Sequence, residues 1–350
     1  MKKKALIIIF SVLIGITLIL CGTVFFLYRS GLNSMKTVAA PVIETPVPTQ
    51  SADVVIDGAS SADDEMLDAY TIRYNGKLYR YNDQVVNLLF MGIDDDSPDI
   101  EEGKYASAVQ ADVIILGVMD RKNGKLTLIS LSRDTMCSFE RFNSEGESLG
   151  MTEAQLALSF AYGDGGKISC ELCSGAVSTI FKGLQIHGYC ALYLDGLSII
   201  NDAVGGVEVT ILDDYNYNDW TMTQGATVRL NGTQARKYLV ARSHTLDGNL
   251  NRMQKQKQYL KALFSQTRST LKSDPTQVLS IYSAAQDYII TDLSVSDLTY
   301  LATQALDMSL DPDIRSVEGE VEQNGNYAEY YIDEEKLMDL MLDVFYEEVE

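Results

Sequence analysis

The strongest constraint is a run without charge: from Ala5 to Tyr28 the chain has no charged side chain and is built mostly of Leu, Ile, Val and Phe. About 20 such residues span a bilayer as a helix. Lys2, Lys3 and Lys4 precede the run and only Arg29 and Lys36 follow closely. That asymmetry keeps residues 1–4 in the cytoplasm and sends the rest of the chain outside. A cleaved signal peptide would have a shorter apolar region followed by small residues, and a lipoprotein a small residue before its cysteine. Here Leu20 precedes Cys21 and the apolar run continues through Phe25, Phe26 and Leu27, so residues 5–28 read as an uncleaved transmembrane helix.

Charge separates the two sides of this anchor. The chain carries 28 basic and 49 acidic residues, and the first 36 positions hold five of the basic ones and no acid. The remainder therefore has a net charge of -26. Such a surface repels nucleic acid, and nucleic-acid binding is excluded as a function class.

Residues 29–68 are rich in Ala, Pro, Ser, Thr and Asp and read as an extracytoplasmic linker that buries no core. One folded unit is expected over 69–350, with its motifs between 86 and 264 and a helical part over 265–350. Val85–Ile93, Val113–Met119 and Lys125–Leu131 are nearly continuous apolar runs and read as strands buried on both faces. Arg121-Lys122-Asn123-Gly124 joins the last two as a hairpin. Further strands are expected at Ala191–Leu194 and Val207–Ile211. Helices are expected at Thr152–Ala161, which opens on a capping-box pattern, and at Ile168–Lys182, Thr233–Ser243, Arg252–Leu271, Thr276–Gln286, Val295–Leu306 and Glu334–Glu347. Strands mixed with helices in this way give an α/β class, layered α-β-α.

Familiar catalytic patterns are missing. Gly166-Lys167 lacks the upstream glycine and the following Ser/Thr of a P-loop, and no G-x-S-x-G elbow occurs. The two histidines, His187 and His244, offer little to a metal site or hydrolase triad and read as surface or structural residues. Cys170 and Cys173 form one C-x-x-C without a second pair for zinc; two small residues on a helical turn, or a disulfide or redox pair, both fit.

Charged residues instead gather where the apolar strands end. Asp94 follows the first, Asp112 opens the second, and Arg133 and Asp134 follow the third. Strand ends of an open sheet form the usual ligand crevice. Two converging carboxylates invite a divalent cation, which for Mg²⁺ means one or two acids plus phosphate oxygens and water; capping or pairing with arginine is the alternative. Arg252 and Gln256, four apart near a helix start, share one face suited to phosphate oxygens.

The ordered set Gly92-Ile93-Asp94, Ala111-Asp112, Leu131-Ser132-Arg133-Asp134-Thr135, Asp202-Ala203-Val204-Gly205-Gly206-Val207, Leu230-Asn231-Gly232 and Arg242 to Gln256 resembles the LytR–CpsA–Psr family. That resemblance implies a central mixed sheet between helical layers, and an apolar tunnel for a polyprenyl tail with a pyrophosphate site at its mouth. The implied reaction moves a glycopolymer (teichoic acid, capsule or related) from a polyprenyl-pyrophosphate carrier to peptidoglycan, in a Gram-positive-type envelope. Asp94 and Asp112 match the Mg²⁺-associated acids, with catalytic roles shared with Arg133. Arg133, Arg242, Arg252, Gln256 and Lys255 match pyrophosphate-binding positions.

The chain departs from the pattern at Val240 and Gln110, where relatives carry arginine, at Asn249, where they carry an acid, and at Lys255, which keeps a charge but loses the bidentate fork. These departures leave two other readings open: a non-catalytic envelope protein that binds lipid-linked polymer, and a hydrolase acting on the same carrier.

Overall fold

The computed structural model describes residues 26–43, 68–98, 105–107, 109–217, 220–241, 248–274, 277–308, 313–325 and 327–349. Most of the expected membrane span, residues 44–67 of the linker, Arg242 and His244 lie outside these, as does the side chain of Arg252. Among the described residues no helix is long and apolar enough to cross a membrane.

The centre is a six-stranded sheet. Its strands in chain order are β1 (Val85–Ile93), β2 (Ala111–Asp120), β3 (Lys125–Leu131), β4 (Gly188–Tyr193), β5 (Ile289–Thr291) and β6 (Asp313–Ser316). They lie side by side as β5-β4-β1-β2-β3-β6, with β4 parallel to β1, β6 parallel to β3 and the other pairs antiparallel. The expected mixed sheet is therefore present. The expected β2–β3 hairpin is present and turns through Gly124 at φ 64°.

Helices cover both faces. In chain order they are α1 (residues 26–34), α2 (Leu156–Ala161), α3 (Lys167–Ile180), α4 (Leu194–Ala203), α5 (Gly232–Val240), α6 (Gly248–Ser273), α7 (Gln277–Ala285), α8 (Val295–Asp307) and α9 (Glu334–Phe345). On one face Leu89, Met91, Ile93, Leu116 and Val118 pack against Cys170, Cys173 and Val177 of α3 and Met341 and Phe345 of α9, forming the main core. Period-2 alternation sends their neighbours Leu88, Phe90, Val113, Ile115 and Gly117 to the other face, where they line a cavity. A second core of Val207, Val209, Leu230, Ala235, Tyr238 and Tyr259 joins α5 and α6 to the antiparallel pair Val207–Thr210 and Thr227–Leu230.

Four expectations are corrected. Thr152–Gln155 is not helical: Ser148–Gln155 is a strand paired with Met136–Phe142, and only Leu156–Ala161 is helix. Tertiary pairing overrides a local capping pattern here. The segment 265–350 is not simply helical, since it supplies β5, β6, the hairpin Gly319–Asn324 with Tyr327–Ile332, and Tyr346–Val349, which pairs with Lys77–Tyr81. Of these, β5, β6 and Tyr346–Val349 have only three or four residues, too few to show a period. Leu194–Ala203 forms a helix that the sequence reading did not foresee.

The linker also begins later than residue 29. Residues 26–34 are helical and Met35 is 1% exposed, packed with Val86, Leu88, Tyr300 and Met308. The Thr37 hydroxyl donates to the Val85 carbonyl at 3.2 Å, and the Val42 N–H donates to Lys182 at 2.7 Å. Composition missed this because a few apolar residues among Ala and Pro suffice once a partner surface exists. Cys170 and Cys173 are free thiols buried in the main core; burial pushes Cys170 well above the usual thiol range and Cys173 up to about 12, so they pack as small apolar groups.

Candidate active site

The sheet register turns Asp112 into the cavity. Gly92 pairs with Val113 but Ile93 pairs with Ala111, so Asp112 is an extra, unpaired residue in a β-bulge. A bulge re-aims side chains that strict alternation would send to opposite faces. Asp112 and its neighbour Val113 consequently both line the cavity, together with Asp94, whose N–H donates to the Gln110 carbonyl at 3.3 Å.

Arg133 is brought to the same place by the turn that ends β3. The Thr135 N–H closes that turn on the Ser132 carbonyl at 3.2 Å, and the first amides of α2, Leu156 and Ala157, donate to Thr135 and Arg133 carbonyls at 2.7 and 2.9 Å. A helix start that would otherwise leave amides unbonded is thus used to fix the turn. The guanidinium donates through one nitrogen to Asp112 and through another to the Gln110 side-chain carbonyl, with Asp134 3.7 Å away. Asp112 is 11% and Arg133 23% exposed at the side chain. The pair sits in a partly dry setting, which strengthens its action on a charged ligand.

Behind this charged mouth the cavity is apolar, with a volume of about 530 Å³. The sheet forms its floor through Phe90, Ile115 and Leu128, and α6 its roof through Gln256, Leu260, Leu263, Phe264 and Thr267. Positions 256, 260, 263, 264 and 267 make one stripe of a helix. Phe90 is 39% exposed although it sits in the middle of a central strand, because no side chain among the described residues fills the space before it. Gly117 stands under its ring: a Cβ there would meet Phe90 Cε2 at 2.9 Å. Size and lining match a site for an apolar ligand with a polar end.

The other positions singled out from sequence fall differently. Gln256 lines the cavity, as does Val240, which is 43% exposed. Lys255 faces away from it and is 0% exposed: its ammonium donates to the Tyr215 hydroxyl at 2.9 Å and to the Ala241 carbonyl, and lies 4.4 Å from the Tyr215 ring centroid. It ties α6 to the end of α5, just before Arg242. The motifs around Asp202 and Asn231 are a structural joint. Asn201 and Asp202 bond to Leu230 and Gly232 at 2.9 and 2.7 Å, Tyr259 donates to Asn201 at 2.9 Å, and Asn231 with Gln234 makes a complete capping box for α5.

Sequence reasoning missed Arg236, which bridges Asp96 to Asp195 (3.1 Å to the latter) and so pins the loop after Asp94 to the start of α4. The clue was the run Asp94-Asp95-Asp96, which requires a nearby cation. It missed Phe90 and Gly117 as well, since apolar residues read alike in a core and in a cavity wall. His187 is half-buried and structural: its Nδ1 accepts from the Asn87 N–H at 3.0 Å, leaving Nε2 to face Thr37 at 3.3 Å.

Among the described residues no group of three or more His, Cys, Asp or Glu is placed to hold a metal. The fold resembles the crystal structure of B. subtilis TagV (TM-score 0.59, 22% identity, covering 75% of this chain and 96% of that one) and a structure of TagT bound to LI-WTA (TM-score 0.53, 16% identity, 75% and 89%). In sequence the chain is 22% identical over 327 residues to a polyisoprenyl-teichoic acid–peptidoglycan teichoic acid transferase TagU of Oceanobacillus iheyensis, covering 93% of this chain and 89% of that one. It is 26% identical over 219 residues to the correspondingly named TagV of Bacillus subtilis, covering 60% and 50%. Residues 52–343 match the LytR_cpsA_psr family as a whole, and with the bulged Asp112, the Arg133 turn and the cavity behind them, the chain belongs to that family.

Proposed function

We propose that this protein is a membrane-anchored, extracytoplasmic transferase that moves a glycopolymer of the teichoic acid or capsule class from a polyprenyl-pyrophosphate carrier to peptidoglycan. The observation that carries this reading is the union of a 530 Å³ apolar cavity with a mouth bearing Asp94, Asp112 and Arg133. A lipid diphosphate has the same two parts in the same order. The names of the relatives agree with it, and residues 5–28 supply the anchor.

Arg133 and Gln256 lie where the pyrophosphate would meet the mouth, with Arg242 and Arg252 assigned to the same role from their sequence positions. Lys255 acts one step back, holding the end of α5 that leads to Arg242. In the reaction a peptidoglycan hydroxyl oxygen bonds to the phosphorus that carries the glycopolymer. The bond from that phosphorus to the bridging oxygen breaks, and polyprenyl phosphate leaves with the electron pair. Asp112 is held by Arg133, so Asp94 is the carboxylate we assign to take the hydroxyl proton. Arg133 stabilises charge on the departing phosphate from a position fixed before substrate arrives.

The donor set also fits Mg²⁺. Asp94 and Asp112 line one mouth and would offer it carboxylate oxygens, and this ion needs only one or two carboxylates when phosphate oxygens complete its shell. When bound it would supply charge neutralisation on the diphosphate.

The test is to incubate the full chain with lipid-linked glycopolymer and Mg²⁺, with and without peptidoglycan fragments. Polymer joined to the fragments, with release of polyprenyl phosphate that depends on them, is the expected result. Equal release without fragments would identify a hydrolase, and no release under either condition a binding protein.

A further inference from the structure

Helix α1 fixes which end of the cavity faces the membrane. A Cβ on Gly31 would lie 2.3 Å from the Ser296 carbonyl oxygen, so this helix touches the first turn of α8. One turn earlier the Tyr28 ring packs tilted against Tyr300 with centroids 5.4 Å apart, and its hydroxyl accepts from Gln304 at 3.4 Å. As the number falls from 31 to 28 the partner rises from 296 to 304, so α1 and α8 run antiparallel. The start of α1 at Phe26 therefore lies beside the last turn of α8. Ala305 lies in that turn and Met308 caps it, and both line the cavity.

Those residues mark the end opposite the charged mouth. Leu88 and Met119 lie at that end and Asp94 and Asp112 at the other. Six residue steps along and just past β1, about 20 Å, separate Leu88 from Asp94. Ala305 is itself exposed, so the cavity wall reaches the surface there. Phe26, 70% exposed on α1, lies at the same end.

We infer that the surface formed by α1 and the last turn of α8 rests on the bilayer, and that the cavity opens there to its acyl region, with the charged mouth directed away from the membrane. This rests on the proposed anchor and lipid site above. It follows that only part of a carrier lipid is housed in protein. A chain of many isoprene units is longer than the strand distance between the two ends, and its remainder stays in the bilayer through the Ala305 end. The diphosphate is then held on the wall side, where a peptidoglycan hydroxyl can reach it.

The test places a tryptophan at each end of the full-length protein in a Trp220→Phe background, Ala305→Trp at the membrane end and Ser97→Trp in the loop after Asp94. The protein is reconstituted in phosphatidylcholine vesicles with brominated or ordinary acyl chains. Bromine quenches on contact, so Ala305→Trp should lose about twofold or more of its emission in brominated lipid while Ser97→Trp keeps its own, as expected for a surface seated at the acyl boundary. Gly31→Leu, which drives a side chain into the Ser296 backbone, should erase that difference while the circular dichroism of the domain stays unchanged. Equal quenching at the two reporters, stronger quenching at Ser97→Trp, or no quenching at either in protein that floats with the vesicles would overturn the orientation alone. Failure to float with the vesicles would overturn the anchor reading and the orientation with it.

Discussion

The two faces of the central sheet are made from the same strands and nearly the same residue types, yet they do different work. Leu89 and Met91 point into a close-packed core and are 0% and 2% exposed. Phe90, between them, points into open space at 39%. Hydrophobicity in the sequence thus records that a side chain avoids water and leaves open whether protein or ligand takes the water's place. Close-packed interiors resist any loss of volume, whereas a cavity wall has little to lose until its ligand arrives.

The largest effect should come where the open face meets charge. Arg133→Ala is expected to lower transfer about 10²–10³-fold, the scale for losing one fixed donor to a developing anion, with Tm changing little. A variant that keeps its rate in the assay with peptidoglycan fragments would remove Arg133 from the site. On the packed face, Leu89→Ala should cost about 2–5 kcal/mol in urea unfolding without a specific loss of activity per folded molecule. Gly117→Leu adds volume to the open face; binding of a fluorescent polyprenyl phosphate should weaken about tenfold, equal to ~1.4 kcal/mol, while urea stability stays near wild type. Unaltered binding would mean that lipid does not pass Gly117. Phe90→Ala, one residue from Leu89, should cost about 1 kcal/mol or less in stability, because its ring already faces open space. A loss as large as that of Leu89→Ala would abolish the contrast between the faces.

The smallest effect concerns acid. Burial, aided by the charge of Arg121, pushes His187 down to about 4, so the folded protein holds it neutral. An unfolded chain takes up this proton near pH 6.5. The fold's preference for neutral His187 is therefore fully present above about pH 6.5 and is lost as pH falls towards 4, at a cost on the order of 1 kcal/mol once partial exposure is discounted. Tm followed from pH 7 to pH 4.5 should fall more steeply for wild type than for His187→Gln; parallel curves would show that His187 does not contribute.

These contrasts also explain what the sequence could and could not reveal. β1, β2 and β3 were legible as long apolar runs, and the residues at their ends were legible as a site because charge beside such runs is conspicuous. The short strands β5 and β6 carry no period and were not. The convergence of Asp112 with Arg133 depends on a register shift, and the burial of Lys255 on the rings of Tyr215 and Tyr238 from distant segments, neither of which any spacing along the chain encodes. The joint of Asn201, Asp202 and Leu230 shows the converse: motifs that mark the family are here structural, holding α4 and α5 together beneath the cavity.

The bulge at Asp112 has one more consequence, best stated as parity. Odd-numbered positions of β2 from Val113 to Met119 face the cavity, and the carboxylate at an even number joins them only because the strand there carries one residue more than its partner. Removing Asp112 would restore an unbroken ladder and delete the acid in one stroke, leaving the rest of the strand in phase. Removing Ile115 would instead exchange the sides of the residues on one flank of the deletion, setting core residues against the cavity. The strand thus tolerates a change of length at one place, and that place is the site itself.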